Sequence, residues 1–324
     1  MRVRFYGVRG SIATAGDETR RYGGNTSCVV VEASGETLIF DAGTGLRKAG
    51  ADLMRAHGPQ GVQAHMFFSH LHWDHIQGFP FFGPAFVPGN RVQVWGVQAT
   101  ADVVDSAVLD TVVDQRPATM ELNLEALRAP DPAGGVRAAM ASQMQAPNFP
   151  VGLEAMRADL RFIDVPLGER ITLSPFVTLR HVAVDHPNGC VAWRVDAEGR
   201  SVVYATDLEL AEGAGGTVFD GLVELCRGAD LLVFDAMYTP EEYAGSATSH
   251  APGVAAGGLF SRRGWGHSTF EMGAAVAERA GVGSLALFHH DPAHDDAFMD
   301  ALADRAAARR QGTFVAKEGM ELSL

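Results

Sequence analysis

The sequence predicts a mixed α/β (α+β) fold formed by one domain of 324 residues. Short β-branched or aromatic segments, separated by glycine-rich turns, fill the first 97 residues and recur between residues 161 and 205. From residue 231 onward, apolar strands alternate with helical patterns. Because no glycine- and serine-rich or charged linker separates these regions, we expect a single domain spanning residues 1–324.

The first half of the chain is expected to contain five strands and two helices. The strands are Val3–Val8, Cys28–Ala33, Thr37–Phe40, His65–Ser69 and Val92–Val97. An amphipathic helix is expected at Leu46–His57, and the apolar spacing of Thr100–Arg116 is also helical. Prolines and glycines interrupt the pattern across residues 117–160, which we interpret as an insertion or lid over the fold. A long surface connection is the alternative.

The second half repeats strands before it turns to helix–strand units. The expected strands are Arg161–Val165, Ile171–Leu173, Val177–Val184, Val191–Val195, Ser201–Ala205, Leu231–Ala236 and Ser284–Phe288. A tight hairpin is expected at residues 198–200. Helices are expected at Thr269–Ala280 and Asp295–Arg309, and Phe314–Ala316 and Met320–Leu324 are expected as terminal edge strands.

Composition narrows the class of protein. Apolar residues make up 47% and charged residues 20%, which is typical of a globular chain. The formal net charge of −13 disfavours long nucleic acid as a partner, although a local basic pocket can hold a small phosphate ester. Three widely spaced cysteines suggest no disulfide framework. With no signal peptide and no membrane-spanning run, the sequence predicts a soluble cytoplasmic protein.

One short segment carries most of the chemical information. Ser69-His70-Leu71-His72-Trp73-Asp74-His75 follows the apolar residues Met66-Phe67-Phe68. Histidines at positions i and i+2, leaving a strand end, project to the same side, and Asp74 and His75 follow in the next turn. Imidazole nitrogens and carboxylate oxygens bind zinc, and a second metal ion about 3.5–4 Å away can share the site. The segment predicts a metal site; the alternative is a chance cluster in a chain with 12 histidines.

This His-x-His-x-Asp-His run resembles the hallmark of the metallo-β-lactamase superfamily. The resemblance extends over nearly the whole chain, through Asp41-Ala42-Gly43, His186, Asp207 and Leu285-Ala286-Leu287-Phe288-His289. It implies an αββα sandwich with a dinuclear metal site at one edge of the sheets. By the same resemblance, the first metal ion is held by His70, His72 and His186, the second by Asp74, His75 and His289, and both by a bridging Asp207. Of the adjacent His289 and His290, the family's position selects His289.

Departures from other members of the superfamily narrow the chemistry. True β-lactamases bring a cysteine to the second metal where this chain has Asp207, and flavodiiron proteins have glutamate at the position of His72. Phe234-Asp235 followed by His267-Ser268-Thr269 resembles the ribonuclease Z and cyclic phosphodiesterase branch, although ribonuclease Z usually has glutamate at position 235. No glycine- and lysine-rich tRNA-binding arm is visible. The opening Gly7-Val8-Arg9-Gly10-Ser11 looks more like small-molecule relatives such as phosphoribosyl cyclic phosphate phosphodiesterases.

The expected function is therefore hydrolysis of a small phosphodiester, such as a cyclic nucleotide or a cyclic phosphate, by a metal-bound hydroxide. A thioester or lactone hydrolase on the same metal site and a non-catalytic binding member are the alternatives. The cofactor is expected to be two divalent ions, zinc in preference to manganese, because imidazole ligands dominate. No membrane or long nucleic acid partner is expected, and a homodimer is possible.

Further residues are expected to act around the metal ions. Asp74 is counted among the catalytic groups as well as the ligands. His267 is expected to protonate the leaving group, with its ring oriented by Asp235, because all seven ligand positions are filled without it. The alternative is that His267 caps the helix that follows it. Three arginines are candidate phosphate contacts: Arg9, Arg262 and Arg263. Tight turns are expected at glycines 7, 10, 23 and 24. We expect Phe149 to pack in a satellite cluster, and the alternative is that it forms a hydrophobic lid.

Overall fold

The computed structural model describes residues 1–58, 60–97, 135–210, 215–246 and 261–324. The helix expected at Thr100–Arg116 lies outside these residues, as do residues 117–134 of the expected insertion. Among the described residues, no helix combines the length and apolar character needed to cross a bilayer.

Within the described residues, the first sheet has seven strands and combines the N-terminal part of the chain with the C-terminal strand β14. Its members are β1 (Arg2–Gly7), β2 (Cys28–Ala33), β3 (Glu36–Phe40), β4 (Gln63–Phe67), β5 (Arg91–Val97), β6 (Asp159–Val165) and β14 (Glu321–Ser323). Their order is β14-β1-β2-β3-β4-β5-β6. The pairs from β14 to β3 are antiparallel and those from β3 to β6 are parallel. β3 and β4 therefore end at the same edge.

The second sheet has the same size and the same change of direction. Its members are β7 (Ile171–Ser174), β8 (Val177–Val184), β9 (Cys190–Ala197), β10 (Arg200–Ala205), β11 (Leu231–Asp235), β12 (Ser284–Phe288) and β13 (Thr313–Val315). The order is β13-β12-β11-β10-β9-β8-β7, with parallel pairing from β10 to β13. Three neighbouring strands, β10, β11 and β12, thus deliver their carboxyl ends to one edge.

Helices cover the outer faces of both sheets. The described helices are α1 (Leu46–His57), α2 (Trp73–Ile76), α3 (Gly135–Gln143), α4 (Thr217–Cys226), α5 (Pro240–Tyr243), α6 (Phe270–Ala280) and α7 (Asp296–Arg309). Apolar residues of α1 and α3 pack with the outer face of the first sheet, and those of α4, α6 and α7 with the outer face of the second. A third cluster, including Phe5, Phe67 and Trp193, fills the space between the sheets. This layering confirms the αββα sandwich.

Most predicted elements are present with boundaries that differ by one or two residues. Leu46–His57, Val177–Val184 and Ser284–Phe288 are reproduced without change, and both terminal strands lie at sheet edges. Helix α4 was not predicted. In the described end of the expected insertion, α3 buries Val136 and Met140 against the first sheet, and the role of residues 117–160 stays a prediction.

Candidate metal centre

The loop after β4 brings four ligand-type side chains to one place. β4 ends at Phe67, and α2 begins at Trp73 with His72 as its N-cap residue, in extended conformation. The side chains of His70, Asp74 and His75 are buried, whereas Leu71 and Trp73 are exposed. The backbone N–H of His75 donates to the carbonyl oxygen of His72 at 3.0 Å, which fixes the turn. The alternation expected from the sequence therefore directs the ligand-type residues inward.

The second sheet supplies the remaining candidates from four separate strand ends. His186 follows β8, Asp207 follows β10, Asp235 ends β11 and His289 follows β12. All four side chains are buried. Because β10, β11 and β12 are parallel, their carboxyl ends carry Asp207, Asp235 and His289 to the same edge. The parallel half of this sheet thus positions residues that are far apart in sequence.

The seven candidate ligands form two groups, in each of which the ligand atoms lie within 4.8 Å of one another. The three-histidine group comprises His70, His72 and His186, and the aspartate–histidine group comprises Asp74, His75, Asp207 and His289. Asp207 lies between them. Its Oδ2 is 3.2 Å from Nε2 of His75, and its Oδ1 is 3.2 Å from Nε2 of His289 and 3.8 Å from Nε2 of His70.

Hydrogen bonds to the opposite ring nitrogens orient two of the imidazoles. Nδ1 of His75 lies 2.7 Å from Oδ2 of Asp41, and Nδ1 of His186 lies 2.7 Å from the carbonyl oxygen of Gly266. A carbonyl oxygen can only accept, so Nδ1 of His186 carries the proton and Nε2 is left to bind. Fixing the tautomer through the second nitrogen is typical of metal-binding histidines.

Asp41 is itself held by three donors. The backbone N–H of Ser69 donates to Oδ1 at 2.8 Å, and the hydroxyls of Ser69 and Tyr204 donate to Oδ2 at 2.7 and 2.9 Å. The side chain of Asp41 is wholly buried. A buried carboxylate with this many partners is a rigid support for the ring of His75.

The chemistry of these residues fits bound divalent cations. Nε2 of His70 is buried without a hydrogen-bond partner, and the facing ring nitrogens of His72 and His186 are only 3.1 Å apart. Burial, reinforced by the neighbouring His75, holds the pKa of His70 well below its usual range, and burial lowers the pKa of His186 to about 4. Neutral imidazoles with inward lone pairs are the form that binds metal.

The carboxylates of the centre point to the same conclusion. Burial opposes ionisation of Asp74 and Asp207, but the surrounding imidazoles hold the pKa of each carboxyl well below its ordinary value. Buried anions need a partner, because an isolated buried charge is strongly unfavourable. Divalent ions between these groups would supply that positive charge.

His267 and Asp235 form a pair beside the two groups. Nδ1 of His267 lies 2.8 Å from Oδ2 of Asp235, and the His267 ring centroid is 5.0 Å from that of His289 and 5.2 Å from that of His186. Burial favours the neutral imidazole, but the Asp235 carboxylate outweighs it and raises the pKa of His267 to about 9. The helix-cap alternative is not what the structure shows, because Thr269 caps α6 and accepts from the backbone N–H of Met272.

Backbone strain is concentrated at this centre. Asp41, Asp207 and His289 have φ values of 58°, 54° and 60°, in the left-handed region that non-glycine residues seldom adopt. Such conformations cost free energy and persist where the surrounding structure imposes them. Here Asp41 and His289 directly follow a strand and Asp207 is the second residue after one, and each turns its side chain toward the ligand groups.

Glycines at the centre make room for rings rather than tight turns. A Cβ on Gly10 would lie 2.4–2.9 Å from atoms of the His289 imidazole, and one on Gly266 would lie 2.3 Å from Nδ1 of His186. Of the four N-terminal glycines expected to form turns, only Gly23 has a positive φ, of 104°. Gly7 and Gly24 instead permit close backbone approach, to Thr26 and Thr14.

The expectation that Arg9 contacts substrate is wrong. Its side chain is wholly buried, and the guanidinium donates to the carbonyl oxygens of Gly23, Asp291 and His294 at 2.6–2.9 Å. Arg9 therefore ties the N-terminal loop to the segment after β12. His290 also faces away from the ligand groups, with Nε2 2.9 Å from the carbonyl oxygen of Ala316.

The other two arginines lie on the loop that leads to His267. The Arg262 guanidinium is 4.6 Å from the ring centroid of Trp265 and 5.8 Å from that of Tyr238, whose ring meets His267 edge-on. Arg263 is exposed, with its guanidinium 5.8 Å from the Tyr243 ring centroid. The ring of Tyr238 thus lies between Arg262 and His267, and contact of Arg262 with substrate stays a prediction.

Phe149 contacts Phe81 edge-to-face and packs on the outer cluster of the first sheet.

Several supporting residues were not assigned roles from the sequence. Asp41, Ser69 and Tyr204 anchor His75, and the exposed Asn188 places Oδ1 3.2 Å from Nε2 of His72. The backbone N–H of Ser11 donates to Oδ2 of Asp74 at 2.8 Å. A signal existed only for Asp41, a carboxylate at the end of the apolar strand Leu38-Ile39-Phe40. The others act through backbone groups or common polar side chains that no motif distinguishes.

Comparison with known proteins agrees with this architecture. Residues 124–290 match the family model described as "Beta-lactamase superfamily domain", and residues 21–93 match "Metallo-beta-lactamase superfamily". The metallo-beta-lactamase fold protein YhfI from Bacillus subtilis is similar with a TM-score of 0.59 at 17% identity, covering 99% of this chain and 98% of that one.

Curated relatives match the chain over its whole length. The ribonuclease Z of Haloarcula marismortui is 26% identical over 347 residues, covering 99% of this chain and 96% of that protein. The ribonuclease Z of Synechococcus sp. is 25% identical over 366 residues, covering 100% of this chain and 99% of that protein.

These relatives overturn the expectation that long nucleic acid is excluded as a partner, because proteins named as ribonucleases match the chain from end to end. The argument from net charge failed for a physical reason. A charge of −13 sums the whole chain without bound ions, whereas binding depends on the local potential, and bound divalent cations are the largest local charges in such a site.

Proposed function

The chain belongs to the metallo-beta-lactamase superfamily, and from that premise we propose that it hydrolyses phosphodiesters at a dinuclear metal centre. It is a metal-dependent hydrolase, similar to ribonuclease Z. The observation that carries the proposal is the pair of ligand groups joined by Asp207, with His267 and Asp235 beside them. Because both sheets contribute to this centre, we also propose that residues 1–324 act as one domain.

The three-histidine group would hold one ion and the aspartate–histidine group the other, with Asp207 shared between them. Divalent ions in such a site activate a water nucleophile near neutral pH and withdraw charge from a phosphoryl oxygen. The donor set is five imidazoles and two carboxylates, which suits zinc and also admits manganese. Elemental analysis after reconstitution with each ion tests this assignment, and fewer than one transition metal per chain would contradict it.

The chain's own residues orient these ligands and supply a proton. Asp41 and the carbonyl of Gly266 fix the rings of His75 and His186. His267 directs Nδ1 to Asp235, so that Nε2 is the atom available to donate a proton to the departing alkoxide. The raised pKa of His267, about 9, keeps this proton in place at neutral pH. Hydrolysis in this scheme converts a phosphodiester into a monoester and an alcohol.

Two substrate sizes are supported by different observations. The buried centre needs only the phosphodiester group and its immediate substituents, so a small or cyclic phosphodiester is sufficient for the chemistry. The full-length similarity to proteins named ribonuclease Z favours RNA as a second candidate. Both belong to the same reaction class, and neither requires a change in the assigned residues.

A substrate panel tests the proposal. Zinc- and manganese-loaded protein would be assayed on bis(p-nitrophenyl) phosphate, a cyclic nucleotide, a transfer RNA precursor, a thioester and a lactone. Phosphodiester hydrolysis that disappears in His72→Ala supports the proposal, because that variant controls for contaminating enzymes. Turnover of the thioester or lactone without any phosphodiester would contradict it, as would a loaded protein that hydrolyses none of the panel.

A further inference from the structure

The mouth of the metal centre can be located from burial. Six of the seven candidate ligands are buried, and His72 alone among them is partly exposed. Its Nε2 lies 3.2 Å from Oδ1 of Asn188, an exposed residue held at a φ of 67°. A substrate that reaches the centre from solvent therefore passes His72, and the residues around His72 form the rim that it meets first.

This rim carries an exposed tryptophan. Trp73 follows His72 directly and is 59% exposed, and Leu71 on the other side of His72 is 38% exposed. Ile12, 61% exposed, joins the same rim, because the backbone N–H of the preceding Ser11 donates to Asp74. Exposing a large apolar side chain forgoes the free energy that its burial would contribute. A tryptophan left open beside a catalytic centre is therefore a candidate contact for a ligand.

The backbone of Trp73 is rigid even though its ring is exposed. It is the first residue of α2, and its carbonyl oxygen accepts from the backbone N–H of Gln77 at 2.9 Å. The next residue, Asp74, is held by the backbone N–H of Ser11. The indole is therefore attached to a fixed element adjacent to the phosphate-binding centre, so a group that stacks on it loses little additional protein entropy on binding.

We propose that Trp73 is the stacking platform of a nucleobase subsite at the mouth of the centre. The inference rests on the proposed phosphodiesterase function and narrows it to substrates that carry a base next to the scissile phosphate. A base presents a flat aromatic face of the size of an indole, and stacking of bases on aromatic side chains is sequence-tolerant. The exposed amide of Asn188 lies on the same rim and can meet the polar edge of a base. A protein partner fits less well, because the exposed Leu71 and Trp73 alternate along the chain with His72 and Asp74, whose side chains belong to the ligand groups.

The binding arm of the test does not depend on turnover. Adenosine 5′-monophosphate and ribose 5-phosphate share the sugar and phosphate and differ only by the base, so their affinities for the zinc-loaded protein would be compared by calorimetry. We expect the nucleotide to bind about 5- to 150-fold more tightly than ribose 5-phosphate, because the stacking of one base on an aromatic side chain increases affinity by about this factor. Trp73→Ala should bring this ratio close to one, and Trp73→Phe should retain most of it.

A matched control is available at the other end of β8. Phe176 is 71% exposed and precedes Val177, whereas the metal centre lies beyond Val184. Eight strand residues separate the two ends by roughly 25 Å. Phe176→Ala removes an exposed aromatic side chain of similar character, and should leave the ratio of the two affinities unchanged.

The kinetic arm uses two p-nitrophenyl phosphodiesters, one esterified with a nucleoside and one with methanol. Trp73→Ala should raise KM for the nucleoside ester with little change in kcat, and leave the methyl ester unaffected. An unchanged affinity ratio in Trp73→Ala, or equal effects on both esters, would overturn the stacking assignment while leaving phosphodiester hydrolysis intact. A base-dependent affinity that Trp73→Ala abolishes, in a protein that hydrolyses neither ester, would support the subsite and contradict the proposed function instead.

Discussion

The two ligand groups of the metal centre are surrounded very differently by the fold. In the three-histidine group His72 is partly exposed and contacts the exposed Asn188. In the aspartate–histidine group all four side chains are buried, two of them are carboxylates, and His75 is anchored by Asp41. The first group consists of histidines alone and reaches solvent through His72, whereas the second contains two carboxylates and is wholly buried.

This difference separates two tasks within one centre. A closed, negatively charged group with an anchored histidine is preorganised for a cation, because its ligands need little rearrangement on binding. The three-histidine group has no carboxylate of its own and so attracts a cation less strongly, but a substrate can reach it at His72. We therefore expect the aspartate–histidine group to bind metal more tightly, and the substrate to approach from the three-histidine side.

Asp207→Asn should have the largest effect, because this carboxylate is the only candidate ligand within 4 Å of the ring nitrogens of His70, His75, His186 and His289 alike. We expect less than one metal ion per chain and a loss of activity beyond about 10⁴-fold, since both nucleophile activation and charge stabilisation depend on the ions. His72→Ala should instead retain about one ion per chain in the aspartate–histidine group. Elemental analysis of both variants measures the number of metal ions bound per chain. Two ions retained in Asp207→Asn would contradict the central role of this carboxylate.

His267→Ala is expected to have the next largest effect. Removing a general acid should reduce kcat by about 10²–10⁴-fold with the metal content unchanged, and less for a substrate whose leaving group needs no proton. Asp235→Asn should give a smaller loss in the same direction, because the ring and an acceptor oxygen stay present but the charge that raises the pKa of His267 is lost. Steady-state kinetics compare a p-nitrophenyl phosphodiester, whose leaving group needs no proton, with an alkyl phosphodiester, whose leaving group does. Unchanged turnover of the alkyl ester in His267→Ala, with metal retained, would refute the proton-donor role.

How far the sequence could predict this centre depends on how its residues are distributed. The loop after β4 places four ligand-type residues within six positions, a density that is informative by itself. His186, Asp207 and His289 are single residues at separate strand ends. Their convergence depends on the pairing of parallel strands, which local patterns do not encode. For these three residues the prediction depended on family resemblance.

Two errors show what local patterns leave out. Helix α4 was missed because its residues, with Val218, Phe219 and Val223 around Gly221, combine β-branched and aromatic types with a glycine. Arg9 was misassigned because an arginine in a glycine-rich loop gives no indication of its acceptors, which lie up to 285 residues away in the chain. The division of strands between sheets was equally hidden, since β14 returns to pair with β1.

The Asp41→Asn variant tests the support of the aspartate–histidine group alone. The asparagine keeps the shape of the side chain but removes the charge that orients His75. We expect metal affinity to fall by about 10- to 100-fold, as is typical when a carboxylate that hydrogen-bonds a metal-binding histidine is replaced. Tyr204→Phe is the matched comparison, because it removes one of three donors to Asp41 and leaves the carboxylate in place. Competition with a chromophoric zinc chelator measures both affinities. Equal losses in the two variants would mean that packing, and not the charge of Asp41, supports His75.

Gly10→Ala should have the smallest effect, again confined to the aspartate–histidine group. The added methyl would lie 2.4–2.9 Å from the His289 imidazole, so the buried ring must shift to restore an ordinary contact distance. Because the ligand atom is retained and only displaced, we expect a loss of metal affinity of no more than about tenfold. Gly221→Ala in α4 is the control, since a Cβ there meets open space and should leave affinity unchanged. Chelator competition on both variants tests this, and full affinity in Gly10→Ala would show that His289 has more freedom than its burial implies.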